Sequence, residues 1–270
     1  MSKKLVIFGD SFSAFGVGMS EKDTSGNIWF LELAKKLNLE IKNYSHGGSS
    51  LEFSLREYGK YLSSHHYDEQ DIIIFVLTSM YRSPILVDDI EPHYASYLTS
   101  FIDGSLPKEH PAYAHYEEHK IMYTSIYLNF SLDLAHSLRK TLVLSLKYLP
   151  NECIVIPAFE SSIHFYNDMN HIFSSTDNCV IIKEDLYTIS ENEYKNSTYL
   201  EYRNFFKGDI RNCHLCNTNN LILADQIHDC IVNKSNKYFD TTKYKKDFIE
   251  LNYDKVDENE MPYFNRHRYN

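Results

Sequence analysis

The sequence predicts an α/β protein: a three-layer sandwich of helix, sheet and helix around a mostly parallel sheet. Short apolar runs such as Ile72-Ile73-Ile74-Phe75-Val76-Leu77 are hydrophobic on both faces, as the central strands of parallel sheets are. Segments of helical spacing lie between these runs, and such alternation joins parallel strands by right-handed crossovers. Glycine marks the working end. Of only 9 glycines in 270 residues, Gly9, Gly16, Gly18, Gly26, Gly47 and Gly48 fall within the first 48. Glycine used so sparingly belongs where the backbone needs a positive φ or a close approach.

The elements follow in order. Lys3 to Phe8 is a buried strand, because its apolar run is ended by Gly9-Asp10-Ser11. Ile28 to Leu37 places Ile28, Leu31, Leu33, Ala34 and Leu37 at helical spacing, and a short strand follows at Glu40 to Asn43. Gly47-Gly48 breaks the chain before a helix over Leu51 to Leu62, and Asp71 introduces the strand at Ile72 to Leu77. Between Ser83 and about His115 the pattern fails, with four prolines and three histidines, which predicts an excursion over the surface. Tyr116 to Leu149 reads as one long helical stretch without Pro or Gly. Cys153 to Pro157 and Val180 to Ile182 read as further strands, and Asn219 to Val232 as a closing helix. One domain is expected over residues 1–235, with an inserted excursion at about 83–119 and a Tyr-rich, charged tail over 236–270.

Composition excludes several classes. With 43% hydrophobic and 24% charged residues, the chain can bury a core and is not disordered as a whole. Lys and Arg number 27 against 37 Asp and Glu, a net charge of −10, so no nucleic-acid partner is expected. The longest uninterrupted apolar run, Ile72 to Leu77, is too short to span a bilayer, so no membrane partner is expected either. Leu5 to Phe8 is too short for a signal-peptide core, and five cysteines, an odd number, read as reduced thiols. A cytoplasmic location is the expectation.

In parallel sheets the ligand sits beyond the carboxyl ends of the strands. Those ends are Gly9-Asp10-Ser11, Asn43 to Ser50, and Thr78 to Arg82. A serine on a turn after a strand can expose both its hydroxyl and its amide, which suits a nucleophile given a base and oxyanion donors. It suits a helix N-cap equally well. Taken singly, Gly47-Gly48 also fits a plain turn, and His214 a helix-start residue.

Several blocks together are more specific. Gly9-Asp10-Ser11, then Trp29, Leu33-Ala34-Lys35-Lys36-Leu37 and Asn43-Tyr44-Ser45-His46-Gly47-Gly48-Ser49 precede Gly208-Asp209-Ile210-Arg211-Asn212-Cys213-His214-Leu215, with Leu223-Ala224 in the closing helix. In this order, over residues 3 to about 232, the chain resembles the SGNH (GDSL-type) hydrolases. That resemblance implies a flavodoxin-like α/β/α fold and a serine esterase or acyl hydrolase acting through an acyl-enzyme. Its substrate would be a small-molecule or carbohydrate ester, such as an O-acetyl group on a sugar, and no cofactor would be needed. It implies Ser11 as nucleophile and oxyanion donor, Gly48 as a second amide donor and His214 as general base. The chain departs from the family twice. Met80 stands about where an oxyanion asparagine is expected, which makes Thr78, Ser79 and Arg82 candidate substitutes. Arg211 stands three residues before the histidine, where an aspartate is expected, leaving Asp209 to orient His214. A binding module that has lost turnover, and an acyltransferase, are the rival expectations.

Other signals are read as structural. His115-Tyr116-Glu117-Glu118-His119 has the spacing of a zinc-peptidase motif in reverse, but a solvated polar face is the expectation. Cys213-His214-Leu215-Cys216 lacks the second pair that a structural zinc site uses, so no metal is expected. Gly9 to Gly18 has no Gly-Lys-Ser/Thr, which leaves a phosphate loop unsupported, and the 22 tyrosines and 16 phenylalanines read as packing residues.

Overall fold

The computed structural model describes residues 2–15, 28–79, 82, 94, 95, 97–128, 132–159, 178–193, 215–233 and 239–246. Five parallel strands form one sheet: β1 (Lys4–Phe8), β2 (Glu40–Asn43), β3 (Ile72–Leu77), β4 (Glu152–Pro157) and β5 (Cys179–Ile181). Their order, β2-β1-β3-β4-β5, is the doubly wound arrangement of flavodoxin-like sheets. The fold is α/β, as the alternation of strand and helix predicts.

Side chains alternate across the strands, so each strand feeds two cores. Leu5, Ile7, Ile72, Ile74, Val76, Ile154 and Ile156 pack with helix α1 (Trp29–Leu37) and with the last described helix, Asn217–Asn233. Val6, Phe8, Ile73, Phe75, Leu77, Cys153 and Val155 pack with α2 (Leu51–Leu62) and with the helix at Leu132–Lys147. β1 and β3 are buried along their whole length, which explains why they carry no polar alternation. Asn38, in the left-handed conformation at φ 53°, ends α1, and Ser50 caps α2 by accepting the Phe53 N–H.

Between β3 and β4 the chain builds more than a surface loop. Helices α3 (Leu98–Ile102), α4 (Pro111–Glu118) and α5 (Lys120–Leu128) enclose a separate apolar cluster of Leu98, Phe101, Leu106, Ala112, Tyr116 and Tyr123. The stretch expected as one helix from Tyr116 is therefore broken. His119 leaves helical geometry, and α6 (Leu132–Lys147) packs on the sheet instead. The cause is tertiary: Tyr116 and Tyr123 turn into the local cluster, and no Pro or Gly records the break. A six-residue helix, α7 (Leu186–Glu191), capped by Asp185, follows β5 and lies outside the sequence expectations. α8 (Asn217–Asn233) closes the described fold. Within the expected tail, segment 239–246 is anchored: Phe239 and Tyr244 enter the first core, and Asn219 exchanges hydrogen bonds with the Lys245 backbone.

At the amino end of the sheet one buried carboxylate ties three elements. Asp71 Oδ1 accepts the Lys4 N–H of β1 (2.7 Å) and Oδ2 accepts the Tyr61 hydroxyl of α2 (2.7 Å). The Asn151 amide, just before β4, donates to the Asp71 carbonyl (3.0 Å). Burial, reinforced by the bond to Asp71, pushes the Tyr61 hydroxyl pKa upward, so it stays a donor. Asp71→Ala leaves that hydroxyl and the Lys4 amide unpaired in the interior. The expected loss is about 3 kcal/mol, read from urea denaturation with an unchanged slope.

Candidate active site at the carboxyl edge of the sheet

The strand order reverses between β1 and β3, and ligands of such sheets bind where the strands diverge at that point. Gly9 leaves β1 there, pressed against β3. A Cβ on it would come within 2.8 Å of the Val76 carbonyl oxygen and 2.4 Å of Ser13 Oγ. Only glycine fits. Asp10 is fully buried and organises the turn that follows. Its Oδ1 accepts the Phe12 N–H (3.0 Å), and its carbonyl accepts the N–H groups of Ser13 (3.0 Å) and Ala14 (2.9 Å). Ser11 rides half-buried on this turn.

Polar bonds from neighbouring segments fix the turn. The Trp29 indole donates to the Phe12 carbonyl (2.8 Å), the Asn43 amide donates to the Ser13 carbonyl (2.7 Å), and Ser13 Oγ donates to Ser45 Oγ (2.9 Å). The loop after β2 is held by the Gly9 carbonyl, which accepts the His46 N–H (3.1 Å) and the Ser49 hydroxyl (3.2 Å). Gly48 takes φ 72°, a conformation that favours glycine. A Cβ on Gly47 would stand 3.9 Å from Ser11 Cβ, so the two turns are neighbours. Among the described residues, neither the Gly47 nor the Gly48 N–H has a hydrogen-bond partner.

The end of β3 contributes Thr78, Ser79 and Arg82. Arg82 Nη1 donates to Asp10 Oδ2 (2.9 Å), Thr78 Oγ1 (2.8 Å) and the Ser49 carbonyl (3.3 Å). Its guanidinium carbon lies 5.2 Å from the centre of the Phe159 ring, which follows β4. Thr78 is buried, and its hydroxyl serves Arg82 as an acceptor. From α6, Arg139 donates to the Thr78 carbonyl. Burial lowers the Arg139 pKa to about 10, against the opposing pull of Glu52.

Ser11, Gly48, Thr78 and Arg82 thus gather at one edge, with Ser79 next to Thr78 in the chain. His214, Asp209, Met80, Arg211 and Cys213 lie outside the described residues. The segment directly after His214 is described. Glu193, fully buried, accepts the Cys216 N–H with both oxygens (3.0 and 3.1 Å) and the Asn219 amide (2.8 Å), and so fixes the start of α8. Burial raises the Glu193 pKa to about 7, against these donors. The His115 motif is a solvated face only in part: Glu117 and Glu118 are exposed. His115 is buried, and Nε2 pairs with the Tyr123 hydroxyl (2.9 Å). Among the described residues no three His, Cys, Asp or Glu side chains are grouped to hold a metal ion. No described helix is long and apolar enough to cross a membrane.

Sequence reasoning did not foresee the Asp10–Arg82 pair, Arg139 or Glu193. Asp10 and Arg82 were legible as neighbours once β1 and β3 are placed side by side. Nothing local marks Glu193.

Glu193 yields a pH signature. Its pKa in the fold lies above the ordinary glutamate value of 4.5, so its contribution to stability is complete below about pH 4.5 and is lost as pH rises through about 7. Glu193→Gln removes that dependence. Relative to the native chain, the variant should gain of order 3 kcal/mol between pH 4.5 and 8, measured by denaturant unfolding at both values.

Compared with known proteins, the chain matches no family model and none of the curated proteins.

Proposed function

We propose that the protein is a serine ester hydrolase of the SGNH type, forming an acyl-enzyme at Ser11. One observation carries the reading: Ser11 sits on a fixed turn at the switch point of the sheet, beside a glycine turn whose N–H groups lack partners among the described residues. That is the arrangement an acyl-transfer site needs, a hydroxyl next to unused amide donors.

In this reading Ser11 Oγ attacks the ester carbonyl carbon while His214 takes its proton. The carbonyl oxygen becomes an oxyanion held by the N–H groups of Ser11 and Gly48. The intermediate collapses, the C–O bond to the alcohol breaks, and His214 returns the proton to the departing alcohol. Water then attacks the acyl-enzyme with His214 again as base, releasing the acid and restoring Ser11. Asp209 holds the His214 tautomer and stabilises the imidazolium. Met80 in place of the expected asparagine leaves the hole one donor short, which favours slow turnover and keeps a non-catalytic binding module as the rival reading.

A fluorophosphonate probe should label Ser11, and p-nitrophenyl acetate should be hydrolysed slowly. The rate should rise between roughly pH 6 and 7.5 as His214 loses its proton. Ser11→Ala should abolish both labelling and hydrolysis, and Met80→Asn should raise the rate by up to about a hundredfold. Equal rates for the native chain and Ser11→Ala from parallel preparations overturn the esterase in favour of the binding module.

A further inference from the structure

Arg82 holds a feature that ester hydrolysis does not require. Its side chain is 15% exposed, and all its hydrogen bonds leave from Nη1. Among the described residues, Nε and Nη2 have no partner. The side chain is thus only partly covered, at the edge where sheets of this order open a crevice for ligands. Nε and Nη2 form the edge whose two N–H bonds run parallel, the geometry that receives both oxygens of one planar acid group. Asp10 holds one end of the guanidinium, and its central carbon lies over the Phe159 ring.

We propose that the Nε–Nη2 edge of Arg82 binds a carboxylate of the ligand, so that the molecule taken into this cleft is an acid. A single oxyanion donor needs one aimed N–H, and the backbone supplies that beside Ser11. A complete, immobilised fork instead matches a two-oxygen planar group. Asp10 strengthens the assignment. It holds Nη1 and so keeps Arg82 from turning toward other acceptors, and an arginine bridging two carboxylates keeps donors for both. The site is independent of whether Ser11 reacts. Where Ser11 does react, the substrate is an ester that retains a free carboxylate.

The test uses the full chain and three probes: benzoate, benzamide and sulfate. In a nitrogen-15 NMR titration, benzoate should shift the Arg82 Nε–H resonance saturably, while benzamide at equal concentration should not. Arg82→Lys keeps the charge beside Asp10 and removes the fork, and should weaken benzoate binding by about ten-fold or more. Should that variant fold poorly, the double change Asp10→Asn with Arg82→Gln replaces the ion pair by an uncharged hydrogen-bonded one, with the same loss expected. No saturable shift, equal shifts with benzamide or sulfate, or unchanged affinity in a folded variant overturns the proposal. Fluorophosphonate labelling of Ser11 on the same samples reports the esterase reading separately.

Discussion

The carboxyl edge of the sheet depends on one ion pair between a buried carboxylate and a partly exposed guanidinium. Asp10 lies just after β1 and Arg82 after β3, and a 2.9 Å contact between them joins the two segments where the strand order reverses. Asp10 is wholly buried, so its charge is tolerable only because Arg82 and the Phe12 amide meet it. Around that pair the other parts take their places. The Ser11 turn is wound by the Asp10 backbone and side chain, the loop after β2 touches Arg82 through the Ser49 carbonyl, and Phe159 lies beneath the guanidinium. The positions of the Ser11 hydroxyl and of the glycine turn are thus consequences of electrostatics under the surface.

The two ends of the sheet solve the same problem differently. At the amino end, Asp71 is satisfied by neutral donors, the Lys4 amide and the Tyr61 hydroxyl. At the carboxyl end, the acid is met by a guanidinium with more donors than the described residues use. A closed network rigidifies the sheet, whereas an open one keeps donors free for a further acceptor. The same contrast separates Glu193, whose acceptors are taken by the start of α8, from Arg82.

Most of the α/β framework was legible in the sequence. β2, α2 and β3 occupy the residues that apolar spacing assigns to them, because both periodicity and turn residues mark their ends. Legibility stops where tertiary contacts decide. The break at His119 carries no Pro or Gly, and it follows from Tyr116 and Tyr123 packing into a cluster with residues some twenty positions earlier. α7 is too short to show a period. At the site, Gly9 and Gly48 betray themselves as residues that few others could replace. Arg82 was one of three candidate donors with Thr78 and Ser79, but its ion pair with Asp10 is a contact across 72 positions that only the strand order reveals.

The separate cluster between β3 and β4 bears on how the sheet assembles. Ile72 pairs with Glu152, so closing that strand pair brings together segments eighty residues apart, and β3–β4 is the most extensive pairing in the sheet. In a featureless loop, the entropy of closure would grow with the logarithm of the intervening length. Here Leu98 to Tyr123 collapse locally around Phe101 and Tyr116, which shortens the free chain that β4 must carry back to β3. The insertion thereby lowers the effective contact order of its own crossover, so a long detour slows folding less than its length alone would dictate.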